Sequence, residues 1–168
     1  MGGAKASCAN SFTSIYDIVV KAIGGGSVSM SEYRGKVLLI VNVASECGLT
    51  KKNYTQLVEI EKEYASKGLE ILAFPCNQFL HQEPGSDEEI EKFARNYGAN
   101  FRVFSKTKVN GKEACDLYKF LRLNSNLDGG KIGWNFGKFI VSRDGSKIEY
   151  YGPRTDPSDL VQHFKKYL

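Results

Sequence analysis

The run VLLIVNVA, from Val37 to Ala44, is apolar at every position except Asn42. A strand with one face in water alternates, so an unbroken apolar run predicts a strand buried on both faces. Leu69 to Phe74 repeats the pattern and predicts a second such strand. Between them the period changes: Leu57, Val58, Ile60 and Tyr64 fall on one stripe with charges between, which predicts a helix over Tyr54 to Tyr64, stopped by Gly68. Ser86 opens another helix, with Asp87, Glu88 and Glu89 at the positive end of its dipole and Ile90 and Phe93 on the apolar side. A further helix is expected over Glu113 to Leu123. Asp144-Gly145, between Phe139–Ser142 and Lys147–Tyr151, is a hairpin signal, and Ser158 to Tyr167 closes the chain as a helix. At the start, Ile15 to Val20 reads as a strand, with Gly24, Gly25 and Gly26 as the turn after it. This order predicts an α/β fold with a mixed central sheet, helices on both faces and an N-terminal β-hairpin. Residues 1–13 read as a mobile lead. No repeat or linker divides the rest, so one domain over residues 1–168 is expected.

Composition narrows the function. Hydrophobic residues make up 42% and charged residues 25% of the 168 positions, as in ordinary globular chains. The net charge of +4 is scattered rather than massed, which excludes an argument for nucleic acid. It permits an anionic substrate or transient contact with a membrane surface. Cys8, Cys47, Cys76 and Cys115 form no CxxC pair, and His81 and His163 are the only imidazoles. A structural zinc site and a disulfide framework are therefore not expected, no cofactor is implied, and the pattern suits a reducing, cytoplasmic setting. The start lacks a signal-peptide core, and no arginine precedes Arg34. MGGAKAS misses a myristoylation signal because Ala6 stands where a hydroxyl is required. No apolar run is long enough to span a bilayer.

Cys47 stands at the C-terminal end of the first buried strand, just before a helix. Sites in open α/β sheets gather there, and a helix N-terminus favours a thiolate. Lys51 and Lys52 act in the same direction. Placement alone leaves a buried apolar cysteine equally open. Three stretches change that balance: NVASECG, FPCNQFLHQEPG and GWNFGKF. Together they resemble the glutathione peroxidase family, most closely its phospholipid-hydroperoxide-reducing subgroup, and the resemblance runs from about Ser14 to the C-terminus. It implies a thioredoxin-like fold, with Cys47 and Thr50 at the ends of what is CxxC in thioredoxin. It also implies that Cys47 is the peroxidatic residue and that Gln82, Trp134 and Asn135 complete a tetrad. Amide and indole N–H groups suit that role, since neutral donors stabilise first a thiolate and then the developing oxyanion.

The activity implied is reduction of hydrogen peroxide and organic or phospholipid hydroperoxides through a Cys47 sulfenic acid, with glutathione as co-substrate. Lys51, Lys52, Lys131 and Arg154 are the expected basic residues for substrate. The chain lacks the insertion before the Trp-Asn motif that tetrameric members use, so a monomer is implied. It also departs from the family pattern. Many members carry selenocysteine at position 47. Thioredoxin-dependent members place a resolving cysteine in the helix after QEPG, where this chain has Arg95. Leu80 and His81 occupy a place often held by glycine, and His81 reads as a loop residue rather than a base. Cys76 reads as a packed core thiol, Cys115 and Cys8 as incidental. The alternatives are a thioredoxin-dependent peroxidase, or a redox sensor that passes a disulfide from Cys47 to a partner protein.

Overall fold

A computed structural model describes residues 11–168. Cys8, the MGGAKAS start and most of the expected mobile lead lie outside the described residues. A hairpin of β1 (Val19–Lys21) and β2 (Ser27–Ser29) opens the structure, followed by β3 (Val37–Val43), α1 (Thr50–Tyr64) and β4 (Leu69–Pro75). Next come α2 (Asp87–Asn96), β5 (Arg102–Val103) and α3 (Asp116–Leu123), then β6 (Lys138–Val141), β7 (Ile148–Tyr151) and the short α4 (Val161–Phe164). The main sheet has the order β5-β4-β3-β6-β7. β3 runs parallel to β4 and antiparallel to β6, so the sheet is mixed, as expected.

Every residue of β3 is buried, which is what its unbroken apolar run requires. Its side chains alternate between two cores. Leu38 and Ile40 join Phe74, Tyr118 and Phe139 on the α3 side. Leu39 and Val41 join Leu57, Ile90 and Phe164 beneath α1, α2 and α4. Helices therefore cover both faces, and β3 and β4 end side by side at one edge, where the Cys76 N–H donates to the Val43 carbonyl over 3.2 Å.

Some local expectations fail. The strand expected over Ile15 to Val20 is a 3₁₀ turn over Ile15–Asp17, because the Ser14 hydroxyl accepts the Tyr16 N–H and caps it; the strand begins at Val19. α1 starts at Thr50 rather than Tyr54. α3 starts at Asp116 rather than Glu113, since Gly111 turns the preceding chain at φ 84°. The closing helix is divided into Pro157–Leu160, α4 and Lys165–Tyr167, with 3₁₀ geometry on either side of α4. The N-terminal hairpin is present, with β2 pairing antiparallel to β1, while the two-residue β5 has no expected counterpart and is held by pairing with β4 rather than by local pattern.

Two packing details place the segment that carries Trp134. A Cβ at Gly137 would lie 2.9 Å from the Tyr150 hydroxyl and 3.0 Å from Asn42 Oδ1, so any larger residue would have to displace both side chains where β6 begins beside β3. Arg122 is fully buried and donates to the carbonyls of Gly130 (2.9 Å) and Val109 (3.1 Å), pinning the chain that leads to Trp134. Arg122→Leu strands those carbonyls. It should lower the unfolding free energy by about 2–4 kcal/mol in urea titrations; an unchanged midpoint would show that the pin carries no stability.

Candidate active site

The chain leaves β3 at Val43 and reaches α1 through residues 44–49. Thr50 closes this turn: its hydroxyl donates to the Ala44 carbonyl over 2.7 Å and accepts the Cys47 N–H at 3.1 Å. The Leu49 N–H points at Cys47 Sγ over 3.4 Å, so a half-buried thiol faces a backbone donor at the head of α1. The two N–H groups before Cys47 reach across to the next loop. Ser45 donates to Glu83 Oε1 and Glu46 to the Gln82 carbonyl, each over 2.9 Å.

Gln82 also accepts a 3.0 Å hydrogen bond from Asn135 Nδ2 through its side-chain oxygen. Asn135 is fully buried, and its neighbours are held by Asn42 of β3. Asn42 Nδ2 donates to the Trp134 carbonyl over 3.0 Å, and the Asn42 carbonyl accepts the Phe136 N–H over 2.7 Å. Phe136 takes a left-handed φ of 65°, a conformation that costs a bulky residue about 1–2 kcal/mol and is held here by packing. The Trp134 ring leans on Phe79 at 5.7 Å between centroids. Trp134 and Leu49 line one cavity of about 470 Å³ with Gly133, Pro153 and Arg154. Gln82 and Asn135 are thus bonded directly, the Cys47 turn is bonded to the Gln82 backbone, and Trp134 shares a cavity with a residue two places from Cys47.

The expected basic residues are less uniform. Lys51 and Lys52 are exposed on the first turn of α1, but Lys52 is paired with Asp156 at 3.2 Å. Arg154 lines the cavity. Lys131 is exposed and outside the lining. Leu80 and His81 both adopt left-handed backbone, at φ 54° and 53°. His81 faces a different cavity, shared with Lys21, Thr107 and Cys115. Arg95 is structural: its guanidinium donates to the carbonyls of Ala99 (3.1 Å) and Phe101 (2.7 Å) and so ties α2 to the approach to β5.

Of the other described thiols, Cys76 follows β4 in the core and Cys115 is half-buried at the cavity that His81 also lines. Cys76 is fully buried, and burial pushes it up to about 11; burial raises Cys115 as well, and that residue caps α3 rather than lying within it. Three contributors escaped the sequence reading: Thr50 as a staple, Asn42 as an organiser and Glu83 as a clamp. Asn42 was visible as the one polar residue in a buried run, and Glu83 as the acid inside QEPG. Glu83 is fully buried, and Oε2 has no hydrogen-bond partner. Burial pushes its carboxyl up to about 7, against the opposing pull of Ser45 and Lys106.

Residues 15–122 match the family model described as glutathione peroxidase. The chain belongs to the glutathione peroxidase family. A probable phospholipid hydroperoxide glutathione peroxidase of Mesembryanthemum crystallinum is 50% identical over 157 residues, covering 92% of each chain. The crystal structure of T. cruzi GPX1 aligns over 92% of this chain and 96% of its own at 33% identity, with a TM-score of 0.75. A thiol:disulfide interchange protein of the thioredoxin family from Chlorobium tepidum aligns over 95% and 99% at 18% identity, with a TM-score of 0.63, and shows the fold alone to be thioredoxin-like. This glutathione peroxidase family member is an enzyme, a peroxidase. Among its described residues, no helix is long and apolar enough to cross a membrane.

The raised Glu83 carboxyl sets a pH dependence. Between its ordinary value of 4.5 and about 7, the folded state holds a proton that the unfolded state has lost, so stability falls as pH rises across that window. The variant Glu83→Gln lacks this loss. Its stability relative to wild type should therefore grow by up to about 3 kcal/mol between pH ~4.5 and ~8, read from urea unfolding at each pH. A gap that stays constant would contradict a carboxyl raised by burial.

Proposed function

We propose that this peroxidase reduces hydrogen peroxide and organic hydroperoxides, including those of phospholipids, with Cys47 as nucleophile and glutathione as reductant. The observation that carries the reading is the bond from Asn135 to Gln82, together with the bond from Glu46 to the Gln82 backbone, because it joins three separate motifs around one thiol. The Cys47 thiolate attacks one peroxide oxygen, the O–O bond breaks, and the other oxygen leaves as alcohol or water after taking a proton. Amide N–H groups of Gln82 and Asn135 and the Trp134 indole N–H stabilise the charge as it moves from sulfur to oxygen. One glutathione then displaces water from the sulfenic acid to form a mixed disulfide, and a second releases glutathione disulfide and restores the thiol.

Two features support an external reductant. Arg95 fills the place of a resolving cysteine and is committed to backbone carbonyls. Cys76 and Cys115 are held as protonated thiols by burial, which makes them poor attackers of a sulfenic acid. Phospholipid substrate is supported by the name of the Mesembryanthemum relative and by the cavity beside Trp134, where apolar walls meet Arg154. Val19 and Leu80 are the exposed large hydrophobic side chains among the described residues, which suits a monomer, and free thiols at Cys47, Cys76 and Cys115 suit the cytoplasm. We read residues 1–168 as one domain.

Cys47→Ser should abolish turnover without changing the unfolding midpoint; a loss of only a few-fold would remove Cys47 from the nucleophile's role. The combined variant Cys76→Ser and Cys115→Ser should keep most glutathione-dependent turnover, with thioredoxin assayed alongside. Loss of turnover in that variant, with efficient wild-type reduction by thioredoxin, would make the thioredoxin-dependent reading correct. Phospholipid hydroperoxide in mixed micelles should be reduced, more slowly at high salt. Turnover of hydrogen peroxide without it would refute the lipid assignment.

A further inference from the structure

Gln82 and Glu83 together hold the two residues that precede Cys47. The Gln82 carbonyl takes the Glu46 N–H, and the Glu83 carboxyl takes the Ser45 N–H. The Glu83 N–H is itself anchored on Asn77 Oδ1 at 3.0 Å. The same dipeptide thus carries the amide bonded to Asn135 and the carboxyl bonded to the Cys47 turn. We infer that Glu83 is a proton-linked positioning residue of this peroxidase: its carboxylate sets the Cys47 turn against Gln82, and its protonation slackens that setting. The inference rests on Cys47 being the nucleophile.

The chemistry of the bond supplies the direction. A carboxylate accepts a hydrogen bond about twice as strongly as a neutral acid. The carboxyl has no solvent contact and Oε2 has no hydrogen-bond partner, so its hold on the Cys47 turn runs through Ser45. The groups that face it come from every side. Lys106, beyond β5, favours the charged form, and Glu46 of the Cys47 turn opposes it. Tyr54 of α1 and Cys76 at the end of β4 are close enough to feel its charge, and both are held neutral by burial. Burial is the largest influence on Glu83 and brings its titration to about 7.

The test reads Cys47 itself. Alkylation of Cys47 by iodoacetamide, followed by mass spectrometry, and stopped-flow oxidation by hydrogen peroxide are measured between about pH 6 and 8 in wild type and in Glu83→Gln. Gln keeps an acceptor oxygen for Ser45 but cannot gain charge. The oxidation rate of wild type should rise through an inflection near 7 that Glu83→Gln lacks, and at the upper pH the variant should be slower by about five-fold, the worth of a charge-assisted over a neutral hydrogen bond. Alkylation should lose the same inflection, which a merely structural residue would not cause. Carboxyl ¹³C NMR of the wild type follows the Glu83 titration directly and stands if the variant fails to fold. Superimposable pH profiles in wild type and variant, or a Glu83 signal that does not titrate with the inflection, would overturn the inference. If Cys47→Ser retained turnover, the nucleophile assignment would fail instead, while the Cys47 alkylation profiles would still decide whether Glu83 sets the thiol.

Discussion

Backbone N–H groups that leave a fully buried strand must find new partners, and this requirement organises the site. β3 is buried along its whole length and ends at Val43. The chain then turns toward Cys47, and the N–H groups of Ser45 and Glu46 no longer have a strand beside them. They are satisfied by Glu83 and Gln82, residues of a loop that follows β4. Ser45 is half-buried, and leaving its N–H without the Glu83 carboxyl would cost about as much as a lost hydrogen bond, so this bond holds the two loops in register, with the Glu46 bond beside it. From that register comes the placing of Gln82, and from Gln82 the bond to Asn135.

The other half of the site depends on the opposite neighbour of β3. Asn42 is polar in an otherwise apolar strand, and both its amide and its carbonyl are used on residues 134 and 136. Gly137 permits the close approach that this needs. β3 therefore delivers the thiol at its end and holds the Trp134–Asn135 pair along its side. Residues far apart in sequence meet in this way because β3 carries the Cys47 turn at its end and the Trp134–Asn135 segment along its side, while the loop after β4 brings Gln82 to both.

Much of this was legible in the residues and some was not. Long, uniform patterns were reliable: the unbroken runs of β3 and β4, the capping box at Ser86 and the hairpin at Asp144-Gly145 all stand. Short elements were not, because their conformation is decided by one bond or one contact. Ser14 turns Ile15–Asp17 into a 3₁₀ turn, and β5 exists only by pairing with β4. The four tetrad positions came from motif resemblance, and periodicity alone would have left Trp134 in the core. Glu83 was hidden for a different reason. An acidic residue in a loop reads as solvated, and only the structure shows it without water contact beneath the Cys47 turn.

The central claim is that Gln82 and Asn135 act as one coupled unit on Cys47 rather than as two separate donors. A double-mutant cycle on the rate of Cys47 oxidation by hydrogen peroxide, using Gln82→Ala, Asn135→Ala and the combined variant, tests it most directly. Each single variant should lose about 2–4 kcal/mol of barrier stabilisation. The combined variant should lose little more than either alone, because removing one residue already frees the other from its partner. Losses that add fully, or single variants that oxidise at the wild-type rate, would contradict the account.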